Sequence, residues 1–206
     1  MQSYKVTKIN KSIFNRRKMH NDVFWKNSPA LTHFFYPWNA EPPPATIFRA
    51  LHDSKYLFFR FDVIDSDIHA SKGSNDKMAV LTSDRVEIFF RSDSSMEVYY
   101  GLEMDPLGRV LDYKAEFYRK FDYNWTWKGL EIHSAFTLNG YRVIGCISQD
   151  SLRKLDLLKE NKLECGLFRG KCLSEAVFKW ISWVKPESEQ PDFHIPSAFG
   201  ELVLGT

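Results

Sequence analysis

Arg85 and Glu87 stand two residues apart in TSDRVEIFF, residues 82–90, a run that otherwise reads as a buried strand. Alternate side chains of an extended chain share a face. Val86, Ile88 and Phe90 therefore point into a core, while Arg85, Glu87 and Phe89 point the other way, about 7 Å from one to the next. Guanidinium and carboxylate groups are planar, and each can make two parallel hydrogen bonds. That suits them to grip neighbouring hydroxyls beside an aromatic face. The same pair on an open sheet is a cross-strand ion-pair lattice worth under about 1 kcal/mol per pair. Both readings stand on residue types alone. Arg169, in LFRG, shares a face with Cys165 and Leu167 that reads as core, so its charge needs a partner or an opening onto a ligand. Asp62, Asp65 and Asp67 fall where a strand turns into a loop, either as oxygen ligands for structural calcium or as solvated turn carboxylates.

The elements that must position these groups are strands. In KYLFFRFDV, Leu57, Phe59, Phe61 and Val63 alternate with Tyr56, Phe58, Arg60 and Asp62, and Tyr56, Phe58 and Arg60 are expected to extend the face of Arg85. VYYGLEM places Val98, Tyr100, Leu102 and Met104 together, and RVLDYKAEFY alternates in the same way. GLEIHSAFTL and YRVIGCI flank Asn139-Gly140, a pair that favours a tight hairpin. KLECGLFRG, FKWISWV and GELVL add three more strands. The count, roughly ten or eleven, predicts an all-β antiparallel β-sandwich of jelly-roll type, with two sheets. Only SQDSLRKLDLL, residues 148–158, has helical spacing, through Leu152, Leu155 and Leu158. Ser148 or Asp150 is expected to cap it and its leucines to pack on the sandwich. Longer connections span 40–45, 65–78 and 185–197, where sandwich loops gather at rims or fold over a face.

The 206 residues are 44% hydrophobic and 16% aromatic, enough for one domain over 1–206 with residues 1–34 as an N-terminal extension. The net charge of +2 creates no strong field for a polyanion, and no basic run is interleaved with aromatics, so nucleic acid is not an expected partner. The basic run NRRK at 15–18 reads as a solvated surface segment. No stretch approaches the ~18 apolar residues of a membrane span. The start lacks the apolar core of a signal peptide, so the chain as written is expected to be cytoplasmic, and extracellular or periplasmic if it is trimmed from a longer one. Cys146, Cys165 and Cys172 are odd in number, lack CxxC spacing and read as buried free thiols.

Several ordered stretches resemble the family 9 carbohydrate-binding modules of the wider DOMON-like group. These are PWN at 37–39, YLFFRFDVIDSDI at 56–68, SDRVEIFF at 83–90, NGYRVIGCIS at 139–148 and HIPSAFGELVL at 194–204. The resemblance covers roughly 35–206 and implies an antiparallel sandwich of the kind attached to xylanases, binding carbohydrate without catalysis. It also implies a plant-polysaccharide ligand of xylan or cellulose type, a role in carbohydrate catabolism, and in some members structural calcium. The family holds a sugar between two tryptophans. At the first of those places this chain has Ala79, Val80 and Leu81, at the second Phe193 and His194, and the glutamate of the family's hairpin is here Ile144. The resemblance thus directs attention to Arg85, Glu87, Phe193 and His194. Trp183 joins them because it precedes the 185–197 loop, with Trp125 and Trp127 as further aromatic candidates. By alternation Trp180 lies on the face opposite Trp183 and reads as core.

Two other functions need different constellations. A glycoside hydrolase needs two carboxyls facing each other across a cleft, and the odd spacing of Asp84 and Glu87 sends them to opposite faces. A haem-binding DOMON-like redox domain needs axial Met and His, for which Met78, Met96, Met104 and six histidines are present without diagnostic spacing.

Overall fold

The computed structural model describes residues 1–9, 18–72, 76–174 and 177–206. Most of the basic run at 15–18, and the centre of the 65–78 connection, lie outside the described residues. The chain begins with strand β1 (Ser3–Lys8) and a single helical turn, α1 (Asp22–Trp25), then β2 (Thr46–His52) and β3 (Tyr56–Ile64). A 3-10 turn, Lys77–Thr82, leads into β4 (Arg85–Arg91), followed by β5 (Val98–Met104), β6 (Val110–Glu116) and β7 (Lys120–Asp122). The hairpin of β8 (Glu131–Thr137) and β9 (Gly140–Ser148) runs into helix α2 (Gln149–Lys154) and the short β10 (Leu158–Lys159). The long β11 (Lys162–Ser174), then β12 (Val177–Ser182) and β13 (Gly200–Leu204), complete the chain.

The strands form a β-sandwich. One sheet runs β7-β6-β5-β4-β11, with β13 and β12 sharing the far edge of β11; the other runs β2-β3-β9-β8. Strand β1 joins them: Ser3 to Val6 pair with β13, and Thr7 and Lys8 pair with β2. Both pairings are parallel, so the sandwich is not purely antiparallel, and the residues read as an extension supply the strand that links the sheets. Val86, Ile88 and Phe90 are buried between the sheets with Leu102, Met104 and Leu167 from the first and Phe59, Phe61 and Val143 from the second. This is the outcome that strict alternation in VEIFF predicts. A second buried cluster, with Phe89, Tyr99, Tyr113, Phe168 and Phe193, covers the opposite face of the first sheet. A third packs Phe24 and Trp25 of α1 on Phe58, Ile144 and Cys146, on the outside of the second sheet.

Helix α2 stops four residues short of its expected end. Asp156 adopts φ +57°, and its N–H donates to Arg153 O at 3.0 Å. That turns the chain so that Leu158 enters β10 rather than a further helical turn. Ser148 makes no side-chain cap. Leu152 and Leu158 nevertheless reach the inter-sheet core. All three cysteines are buried, as their residue pattern predicts. Among the described residues no helix is long and apolar enough to cross a membrane.

Candidate functional site

Arg85 and Glu87 meet other side chains on the outer face of the first sheet. Register sets the pattern. Glu87 on β4 lies opposite Glu103 on β5, and Arg85 lies opposite Gly170 on β11, which in turn faces Trp180 on β12. Because Gly170 has no side chain, the Arg85 guanidinium extends across it, 5.1 Å from the Trp180 ring and 4.9 Å from Phe178. Gly101 on β5 plays a similar part: a Cβ there would lie 2.1 Å from Tyr113 Cζ, so the ring rests on bare backbone.

These side chains line a cavity of about 190 Å³. Its floor is Arg85, Glu87, Glu103 and Tyr113; Trp180 and Leu81 stand on one side, Phe121 and Tyr123 on another, and Asp192, Phe193 and His194 come from the 185–197 loop. Trp180 stacks on Phe178, with 5.1 Å between centroids, and Phe121 stacks on Tyr123 at 5.4 Å. Apolar ring faces thus border a polar floor.

The floor holds one cation and two carboxyls. Arg85 Nε donates to Glu87 Oε1 at 2.8 Å and lies 2.7 Å from Glu103 Oε2, while Tyr113 Oη donates to Glu103 Oε1 at 3.2 Å. Glu103 Oε2 sits off the N–H axis and accepts no hydrogen bond. Burial first, and the neighbouring Glu103 second, push the Glu87 carboxyl up to about 8 against the pull of Arg85. Burial works against the Arg85 cation, but Glu103 and Glu87 outweigh it and hold it above its ordinary value. A neutral carboxyl, an acceptor oxygen and guanidinium donors side by side can meet adjacent hydroxyls both as donor and as acceptor.

His194 closes the loop side. Its ring lies 4.9 Å from Phe89 and its Nδ1 is 2.9 Å from Tyr99 Oη. Burial first, then Arg119, lowers it to about 3, so it stands neutral at physiological pH. Phe193 stacks on Phe168 at 4.1 Å and meets the Trp180 ring edge-on.

Arg85, Glu87, Phe193 and His194 are thus brought together, and Trp183 and Arg169 are not. Trp183 is buried between the sheets against Gly200. The alternation in FKWISWV separates Trp180 from Trp183 as expected, but the faces are the reverse of the expectation: Ile181 and Trp183 point inward, Phe178 and Trp180 outward. Arg169 does sit on the face of Leu167 and is fully buried, and it finds a partner rather than an opening, Asp65 Oδ2 at 2.5 Å. Lys171 Nζ takes the same oxygen at 2.8 Å and lies 3.6 Å from Asp67 Oδ2. Asp62 is turned to Arg60 and Arg142, each at 2.7 Å. Asp65 and Asp67 therefore share Lys171 while Asp62 serves other cations, and among the described residues no group of three or more His, Cys, Asp or Glu side chains is placed to hold a metal ion. Tyr56, Phe58 and Arg60 belong to the other sheet, so they do not extend the face of Arg85. Trp125 and Trp127 pack on Tyr100 and Phe90 at the edge of the inter-sheet core. Met104 lies between the sheets and Met96 in the outer cluster, on opposite sides of the first sheet.

The sequence reading missed Glu103, Tyr113, Phe121, Tyr123 and Trp180. A signal existed for Glu103: in VYYGLEM the face opposite Leu102 is Tyr99, Gly101 and Glu103, which adjoins Arg85 if β4 and β5 pair.

Comparison with known proteins follows the same line. The family model for carbohydrate family 9 binding domain-like sequences matches residues 19–206. No curated protein matches the sequence. Among solved structures, a protein from Bacteroides uniformis ATCC 8492 proposed to bind carbohydrate aligns with a TM-score of 0.75 at 16% identity, over 99% of both chains. A family 9 carbohydrate binding module from Caldicellulosiruptor kristjanssonii in complex with glucose gives 0.61 at 14% identity, over 99% of this chain and 96% of that one. A module of the same family and organism in complex with cellotriose gives 0.59 at 15%, over 98% and 93%. At these identities the structural likeness speaks for the fold.

Proposed function

Since the chain belongs to the carbohydrate family 9 binding domain-like family, we propose that its outer-face cavity binds a saccharide and releases it unchanged. The observation that carries this reading is the cavity itself, in which Arg85, Glu87 and Glu103 form a polar floor beside the half-buried rings of Trp180, Phe121 and Tyr123. Saccharides have the matching chemistry, with pairs of adjacent hydroxyls on a ring whose C–H surface is apolar. Where the family's first tryptophan is replaced by Ala79, Val80 and Leu81, Trp180 offers an aromatic face from a different strand. The placement of the two carboxyls supports binding without catalysis. Glu87 and Glu103 are neighbours on one floor and contact one guanidinium nitrogen, whereas hydrolysis needs them on either side of the scissile bond. Solved neighbours carry glucose and cellotriose, which supports a plant-polysaccharide ligand of cellulose or xylan type, met during carbohydrate breakdown. A glycan array with xylo- and cello-oligosaccharides and their monosaccharides, followed by calorimetric titration, tests the reading. Arg85→Met should abolish whatever binding the wild type shows. Absence of binding to any sugar at millimolar concentration refutes the proposal.

A further inference from the structure

The Arg85 unit inside the cavity has a counterpart at its mouth. Arg119 and Asp192 both line the cavity and form an ion pair, Nη2 to Oδ1 at 2.9 Å. Tyr118 sits just beyond them. Its hydroxyl donates to Asp192 Oδ2 at 2.7 Å and accepts from Arg119 Nε at 3.0 Å, and the Arg119 guanidinium lies 5.3 Å from its ring centroid. Asp192 also accepts from the backbone N–H of His194 at 2.9 Å, which ties the unit to the cavity wall. Two hydrogen bonds through one oxygen fix the ring, yet Tyr118 remains 50% exposed, and Phe117, edge-on to it, 46%. The ring is held in place without being buried, so packing does not explain its position, and a fixed side chain loses less entropy when a ligand covers it.

The parts repeat. Inside are a guanidinium, carboxyls and an aromatic face in Arg85, Glu87 and Trp180; outside are the same three in Arg119, Asp192 and Tyr118. The inner cavity is also below the ~300 Å³ at which pockets begin to enclose a whole drug-sized ligand, so an oligosaccharide must continue past its mouth. We infer that Tyr118, backed by Arg119 and Asp192, forms a second saccharide subsite, and that the protein takes at least two linked rings, one in the cavity and the next on Tyr118. This rests on the cavity being the saccharide site.

The test is calorimetric titration of the full chain with glucose and with cellotriose, for the wild type and Tyr118→Ala. The expected wild-type preference for cellotriose is about two- to tenfold, the contribution of one aromatic contact. In Tyr118→Ala that ratio should fall to near one while glucose binds as before. A preference that survives Tyr118→Ala, or a wild type with no preference, overturns the second subsite and leaves the cavity reading intact. Absence of binding to both sugars in the wild type overturns both.

Discussion

Glu87 and His194 carry opposite pH signatures. In the unfolded chain Glu87 titrates near 4.5, and in the folded chain near 8. Between those values the folded state holds the extra proton, so stability falls as pH rises, by up to about 1.4 kcal/mol per pH unit. His194 titrates near 6.5 unfolded and near 3 folded, so across that window the unfolded state holds the extra proton and stability rises with pH. The two effects oppose each other between 4.5 and 6.5. From 6.5 to 8 Glu87 acts without His194, and Glu87→Gln should flatten the decline seen there in urea-unfolding free energies. A slope unchanged in Glu87→Gln rules out this carboxyl as its source. His194→Asn should likewise gain stability over the wild type as pH drops from 6.5 to 4.5. Arg85 is the more severe site. Arg85→Met leaves two adjoining buried carboxyls without their cation, and loss of one partner of such a group costs about 3–5 kcal/mol. The loss should be smaller at pH 5, where Glu87 holds its proton, than at pH 8, where it is partly ionised. Equal losses at pH 5 and pH 8 count against this account of the floor.

Strands place these residues, and the strand-level evidence in the sequence was uneven. The core face of β4 was legible because Val86, Ile88 and Phe90 alternate with side chains of another kind. The segment FKWISWV, β12 and the two residues after it, also alternates, but both of its faces carry a tryptophan, so period 2 separates Trp180 from Trp183 without saying which is inside. That choice depends on what lies across the sheet: Gly170, Arg85 and the 185–197 loop are outside Trp180, and Gly200 is against Trp183. Arg169 was read correctly as facing the core, but its partner Asp65 lies 104 residues away in a loop, beyond the reach of any local pattern. Phe121 and Tyr123 were invisible because β7 is only three residues long. Gly101 shows how one strand position controls the site. Alanine at 101 drives its Cβ into the Tyr113 ring, and overpacking of this kind costs about 1–3 kcal/mol. Gly101→Ala should therefore lower the melting temperature and, by moving the Tyr113 hydroxyl off Glu103, weaken saccharide binding too. A variant that loses stability but binds saccharide as tightly as the wild type separates Tyr113 from the polar floor.

At the scale of the whole molecule, strand β1 decides whether the two sheets form one body. The family model begins at residue 19, yet β1 lies before it and is hydrogen-bonded to β13 of one sheet and β2 of the other. Tyr4, Val6 and Ile9 are all buried. Tyr4 Oη donates to Pro29 O at 2.6 Å and accepts from the N–H of Ala50 at 3.1 Å, and Gly205 N donates to Val6 O at 2.9 Å. At about 1.5–3 kcal/mol for each large apolar side chain removed from water, losing these three costs about 5 kcal/mol or more, against a total stability of about 5–15 kcal/mol for a typical protein. Removal also bares two strand edges, on β13 and β2, which invite pairing with other chains. A chain beginning at Met19 should therefore unfold at much lower urea concentration than the full chain, or aggregate, and should lose saccharide binding although every cavity residue is present. Cooperative unfolding of the shortened chain within about 1 kcal/mol of the full one, with saccharide binding intact, contradicts the joining role of β1. The sheets would then hold together through their shared core alone. The cavity is built wholly from the first sheet and its loops, so it would feel such a loss only through β13 and β11, which carry the position of Gly170 and with it the path of Arg85 to Trp180.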